Sequence, residues 1–176
     1  KGELVCKSPF TSKPIYFWND KNNKKYLETY FDKYKDIWHH GDYCEKTQNE
    51  GYIIYGRSDA TLNAGGVRFG TAELYRVVEN LNDIMECVAV EHNIQTDTEV
   101  ILFIKMKNKM QFDETLNQTI RFEIKSNLSP KHVPSKIFQV NDIPRTKSGK
   151  IVELTIKSII NGKDVKNKNA LENPDC

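Results

Sequence analysis

The chain has no long hydrophobic run. Its longest uninterrupted aliphatic and aromatic stretch is Val100 to Ile104, five residues, against the roughly 20 needed to cross a bilayer, so no membrane span is expected. Glycine and proline are scarce, nine and six in 176 residues, which excludes a low-complexity or collagen-like chain. Cysteine is limited to Cys6, Cys44, Cys87 and Cys176, widely spaced and without a C-x-x-C pair. Neither a zinc site nor a redox dithiol is indicated, and four reduced thiols point to the cytosol. Charge of one sign is not in excess either. Lys plus Arg number 26 against 24 acidic residues, a net of +2, too little to call for a nucleic acid or another bulk polyanion. The first residues, Lys1-Gly2-Glu3-Leu4, lack the regions of a signal peptide. Asn117 and Asn127 each open an N-x-[ST] triplet, but in an Asn-rich chain such triplets arise by chance and would matter only after secretion.

What remains is ample core material, 38% hydrophobic with 28% charged residues, in a chain about the length of one domain or of one domain plus part of another. It opens abruptly on an apparent strand, Glu3 to Lys7, without an initiator Met, as the C-terminal part of a larger protein would. Tyr26, Leu27, Tyr30, Phe31 and Tyr34 fall at helical spacing. Asp42 to Cys44 and Tyr52 to Tyr55 read as the arms of a hairpin joined through the polar Glu45 to Gly51. Ser58 to Gly66 is small and turn-prone and is read as a hinge, with the domain boundary placed there.

Beyond it, Leu74, Val77, Val78 and Leu81 mark one face of a helix over Thr71 to Leu81. Thr71 is either its N-cap or its first turn, with Gly70 as the other candidate start. Glu86 to Val90 and Glu99 to Lys107 read as strands. Asp113 to Leu128 reads as an amphipathic helix, with Leu116, Ile120, Ile124 and Leu128 four apart. A strand at Ser135 to Val140 and a helix at Ile151 to Ile160 follow. This order predicts an α+β domain of about 100 residues, a short β-sheet covered by helices. The Lys- and Asn-rich tail, 163–176, reads as flexible.

Three polar segments exceed what packing requires. In Trp38-His39-His40-Gly41-Asp42, Asp42 could accept hydrogen bonds from both vicinal hydroxyls of a ribose, or it could be ordinary turn chemistry. His39 and His40 would point to opposite faces of a strand with no third ligand nearby, so no metal site is assigned. In Gly56 to Glu73, Arg57 and Arg68 present forks suited to phosphate or nucleotide oxygens, and Gly65 and Gly66 would let backbone amides approach a ligand; surface arginines around a turn are the plainer reading. In Pro144-Arg145-Thr146-Lys147-Ser148-Gly149-Lys150, a phosphate-cradling P-loop is excluded because Pro144 and Ile151 stand where that motif needs Gly and Ser or Thr. A mobile basic loop that delivers Lys150 as a point charge to a site made elsewhere is the alternative to a solvated loop.

In this order the three segments resemble the C-terminal motifs of the acyl-adenylate-forming superfamily, which includes acyl-CoA synthetases, luciferases and peptide-synthetase adenylation domains. Gly2-Glu3-Leu4 is similar to a motif near the end of that family's large domain. Tyr16 to Asp20, Trp38 to Tyr43, Leu62-Asn63 with Gly66 to Gly70, and Leu128 to Ser135 resemble its acetoacetate-activating branch. The resemblance implies that residues 1–58 end a large AMP-binding domain, that 59–162 form a mobile small domain, and that Asp59 is the hinge between them. It implies Asp42 on the ribose hydroxyls, Arg57 on ribose or phosphate, Arg68 in the nucleotide site, Gly66 beside the pantetheine tunnel with Gly65 adjacent, and Lys150 assisting adenylation. The implied partners are acetoacetate, ATP and CoA, with Mg2+ bound outside this chain, and the upstream large domain of the same protein. The acidic Ile151-Val152-Glu153-Leu154 departs from the basic residues of many relatives, a departure the acetoacetate branch tolerates. The chain alone is expected to be inactive. A synthetase for another short acid, or a partner-binding module using the Lys-rich tail, are the competing expectations.

Overall fold

The computed structural model describes residues 1–95, 97–107, 110–165 and 168–176. The chain divides into two compact units, Lys1–Asp59 and Ala60–Cys176.

The first unit is a three-stranded antiparallel sheet in the order β1 (Gly2–Cys6), β2 (Trp38–Lys46), β3 (Tyr52–Arg57). The expected hairpin is present with longer arms, because β2 begins at Trp38 and runs through Gly41. Between β1 and β2 lies a short helix, α1 (Lys24–Tyr30), entered through a 3-10 turn at Lys21–Asn23. It starts where the Asp20 carboxylate accepts hydrogen bonds from the Lys25 and Tyr26 amides, both at 2.9 Å, satisfying donors that a helix start leaves unpaired. The aromatic spacing read from the sequence packs this helix onto β2. Tyr30 stacks on Trp38 with ring centroids 3.7 Å apart, and Phe10, Tyr26 and Phe31 approach the same indole edge-on. The helix stops at Tyr30, short of Tyr34, and Phe31 serves as its C-cap.

The second unit opens with a hairpin of two three-residue strands, β4 (Leu62–Ala64) and β5 (Val67–Phe69). It continues through α2 (Thr71–Val78), β6 (Ile84–Ile94), β7 (Asp97–Met106), α3 (Glu114–Asn127), β8 (Lys136–Val140) and α4 (Glu153–Ile160). β6 and β7 pair antiparallel, while β8 runs parallel to β7, as the long crossover through α3 allows. The central strands are buried on both faces. Cys87 and Ala89 join Leu74, Val78, Ile120 and Ile124 in the larger core, whereas Val88 and Val90 pack with Ile143 and Ile156 on the other face. The period-two alternation of a strand therefore sends successive residues to α2 and α3 on one side and α4 on the other. α3 begins at the expected Asp113, whose side chain accepts the Leu116 amide at 2.8 Å. Gly70, extended at φ −86° and ψ 146°, is the N-cap of α2, so Thr71 is its first residue.

Two sequence readings need correction. Ser58 to Gly66 is small and turn-prone but not unlocked: its Leu62 is 1% exposed in the core, paired across the hairpin with the equally buried Phe69 that follows the segment. The Lys150 segment is also not a loose loop but a closed turn, described below. At the far end of the chain, Lys168–Ala170 forms a 3-10 turn and Leu171 bridges to Thr146; part of the tail read as flexible lies outside the described residues. No helix among the described residues is long and apolar enough to cross a membrane, and Cys6, Cys44, Cys87 and Cys176 are all unpaired thiols.

Candidate functional site

In the first unit, three of the expected residues converge at the open end of the β2–β3 pair. Asp42 and Arg57 are partners across the two strands. The Arg57 fork donates through Nε and Nη2 to the two Asp59 oxygens, both at 3.3 Å, and through Nη1 to the His40 carbonyl at 3.2 Å. The same Nη1 lies 3.8 Å from Asp42 Oδ1. The other Asp42 oxygen sits 2.5 Å from His40 Nδ1. Gly41 makes this arrangement possible. It has φ +85°, and a Cβ there would fall 2.6–2.9 Å from the Arg57 guanidinium, so a side chain would displace the tip of Arg57. Burial works against the Arg57 charge, but Asp59, Asp42 and Glu3 outweigh it and raise the guanidinium's pKa. Two carboxylates around one cation leave a net negative cluster with acceptor lone pairs to spare, an acceptor set that fits the hydroxyls of a sugar.

Glu3 underlies this cluster, a role that sequence reasoning missed. It accepts from Lys33 Nζ at 2.7 Å, lies 3.2 Å from His39 Nε2 and takes the Ser58 hydroxyl. Burial would raise its carboxyl; the hydrogen bonds from Lys33, Ser58 and His39 overcome that and bring it down to about 2. Ser58 in turn donates its amide to the Gly41 carbonyl at 2.9 Å, so β1 braces both sides of the Asp42–Arg57–Asp59 group. His39 and His40 thus serve different carboxylates, Glu3 and Asp42. Among the described residues no group of three or more His, Cys, Asp or Glu could hold a metal ion.

In the second unit, Gly65 and Gly66 form the two-residue turn of the β4–β5 hairpin at φ +55° and +82°, the primed turn that Gly-Gly favours. A Cβ on Gly65 would meet Lys131 Nζ at 2.8 Å, whereas one on Gly66 would meet nothing within 4 Å. Arg68 lies on β5 and donates Nε to Thr61 Oγ1 at 2.9 Å.

Lys150 closes a separate turn. Thr146 donates its amide to the Lys150 carbonyl at 2.9 Å, the Lys150 amide donates to Thr146 Oγ1 at 3.1 Å, and Gly149, at φ +81°, donates to the Thr146 carbonyl at 2.8 Å. Arg145 bridges to Ile151, donates from Nη1 to the Gly149 carbonyl at 2.7 Å and pairs with Glu86 on β6. Glu153, the acidic departure noted in the sequence, accepts the Tyr75 hydroxyl at 2.5 Å and so fixes the start of α4 to α2. Burial, then the Glu153 charge, pushes the Tyr75 hydroxyl well above its ordinary pKa, leaving it a permanent donor. The structure thus groups Asp42, Arg57 and Asp59 in one unit, and places Gly65, Gly66 and Arg68 on one hairpin and Lys150 on one turn in the other.

This architecture matches part of the fold of solved CoA ligases. An anthranilate CoA ligase solved in complex with anthranoyl-AMP matches with a TM-score of 0.76 over 92% of this chain and 31% of its own, at 20% identity, a level that carries the fold alone. The particular likeness is to acetoacetyl-CoA synthetases. The enzyme from Streptomyces lividans matches with a TM-score of 0.90 at 37% identity, over 99% of this chain and 26% of its own. The acetoacetyl-coenzyme A synthetase of Rhizobium meliloti is 49% identical over 176 residues, all of this chain and 27% of that protein. No protein-family model matches the chain. The chain is homologous from end to end to acetoacetyl-CoA synthetases and spans about a quarter of their length.

Proposed function

We propose that this chain is the C-terminal part of an AMP-forming acetoacetate–CoA ligase, and that it supplies that enzyme with a ribose contact, a hinge and the adenylation lysine. The observation that supports this most is its end-to-end similarity to acetoacetyl-CoA synthetases. In the first half-reaction the acetoacetate carboxylate attacks the α-phosphorus of ATP, forming acetoacetyl-AMP and releasing pyrophosphate. In the second, the CoA thiol attacks the acyl carbon, its proton is lost, and AMP leaves.

Asp42 accepts the ribose hydroxyls with the lone pairs that His40 leaves free. Arg57, half-exposed and held in plane by Asp59, directs its remaining donors to ribose or phosphate oxygens. Lys150, exposed where it closes its turn, places a cation where negative charge builds between carboxylate and α-phosphate. Gly66 offers an open, side-chain-free surface to the pantetheine arm, with Gly65 beside it, and Arg68 serves as a nucleotide-site arginine. Residues 1–58 belong to the large domain and 59–162 to the small one. Rotation about Asp59 presents Lys150 for adenylation and Gly66 for thioester formation, so one active site serves two steps. Mg2+ accompanies ATP, with ligands outside this chain, and the enzyme acts in the cytosol.

ATP–pyrophosphate exchange by the longer protein that carries this chain tests the reading. Acetoacetate should support exchange well above acetate, butyrate and 3-hydroxybutyrate. Selective exchange with another acid would withdraw the substrate, and no exchange with any acid would withdraw the chemistry.

A further inference from the structure

The end of the chain grips the segment that leads into the Lys150 turn. Asn173 spends its side-chain amide on a single four-residue stretch: Nδ2 donates to Asp142 Oδ2 at 2.7 Å and to the Ile143 carbonyl at 3.0 Å, and Oδ1 accepts the Arg145 amide at 2.8 Å. The next residue back repeats the hold, since the Glu172 amide donates to the Arg145 carbonyl at 2.9 Å. Leu171 then bridges to Thr146. Both backbone polar groups of Arg145 are therefore taken by the tail. Its guanidinium is taken by Glu86 and by the carbonyl of Gly149, the residue before Lys150. Asp142 is fixed from behind by Lys105 Nζ at 2.7 Å. A continuous set of hydrogen bonds runs from Asn173 through Arg145 to the backbone that carries Lys150.

We propose that Asn173 is a positioning residue for Lys150. By clasping Asp142, Ile143 and Arg145 it sets the geometry of the turn from which the lysine reaches the adenylation site. The inference rests on the reading of Lys150 as the adenylation lysine. A point charge on a flexible stem contributes only when its base is fixed, because displacements of about 1 Å at a reacting centre can cost on the order of 100-fold in rate. The clasp touches neither the Gly65–Gly66 turn nor Arg68, so its loss should fall on one half-reaction.

The test uses the longer protein and measures the two half-reactions separately: ATP–pyrophosphate exchange for adenylation, and acetoacetyl-CoA formation from preformed acetoacetyl-adenylate for the second step. Asn173→Ala should lower the exchange rate about tenfold and leave thioester formation within about twofold of wild type. In a Lys150→Ala background, Asn173→Ala should lower exchange no further, because its effect passes through the missing lysine. Equal loss of both half-reactions would mean a structural staple only and would overturn the proposal. So would unchanged exchange in Asn173→Ala beside impaired exchange in Lys150→Ala, or a full additional loss in the double variant. Unchanged exchange in Lys150→Ala itself would overturn the underlying reading and the proposal with it. Should the alanine variant fail to fold, Asn173→Ser, which keeps one short hydrogen-bonding group, is judged by the same outcomes.

Discussion

Gly41 shows how much of the candidate site depends on a single hydrogen atom in place of a side chain. Its left-handed φ and the guanidinium 2.6 Å from where a Cβ would stand act in the same direction. Gly41→Ala should therefore cost about 1–3 kcal/mol in backbone strain and push Arg57 away from Asp59 and Asp42. Urea denaturation and the KM for ATP of the longer protein should both report it, with KM rising. Glu3 gives the second residue-scale expectation. Its carboxyl, held near 2 in the fold against 4.5 ordinarily, is a lowered acid. The stability it contributes is complete above pH 4.5 and is lost as the pH falls from there through about 2. Glu3→Gln should destabilise the protein by about 1–2 kcal/mol at neutral pH, and the difference from wild type should shrink steadily across that acid window in melting curves. Neither Glu3 nor Gly41 announces this in the sequence. Glu3 meets Lys33, His39 and Ser58 from 30, 36 and 55 positions away, and no local pattern encodes partners so distant.

Among the elements, those with a strong period were legible. α3 is legible almost to the residue because Leu116, Ile120, Ile124 and Leu128 recur every four and Asp113 caps the start. The β-branched centres of β6 and β7 mark both strands, but β6 runs well beyond Glu86 to Val90 and β7 starts two residues before Glu99, in polar residues that pairing with each other keeps in the sheet. The reading of Ser58 to Gly66 as a turn-prone hinge does not foresee the β4–β5 hairpin within it. Three-residue strands are too short for an alternation to register, yet a Gly-Gly pair between Leu62 and Phe69 is a hairpin signal in its own right, and its apolar residues needed to be weighed as core. The two kinds of residue in this hairpin should respond differently. Leu62→Ala removes a fully buried side chain and should cost about 2–5 kcal/mol. Gly66→Ala meets open space and should cost about 1 kcal/mol, from its positive φ alone. Chemical denaturation of both variants separates the two, and a larger loss from Gly66 would mean that the turn is more crowded than its surroundings indicate.

At the scale of the whole molecule, the candidate site was legible as three motifs in order but not as an assembly. The sequence singled out Asp42, Arg57 and Asp59 separately, whereas the fold makes them one ion cluster. It presented Lys150 as the gift of a mobile loop, whereas the fold closes the lysine into a turn held by Arg145 on one side and, through Glu153, by Tyr75 on the other. A rigid mount changes what its replacement should do. If the turn moves as a body with the small domain, Lys150→Ala deletes only the charge and leaves the mount and the Gly65–Gly66 turn intact. Adenylation by the longer protein should then fall about 100- to 1,000-fold, the scale for removing one preorganised donor from a developing charge. Conversion of preformed adenylate to thioester should persist. Lys150→Arg should recover part of the adenylation rate, because it restores the charge but spreads it over a planar fork that cannot occupy the same point. Rapid-quench assays of the two half-reactions measure both effects, and a parallel fall in the two steps for Lys150→Ala would show that the lysine is not confined to the first.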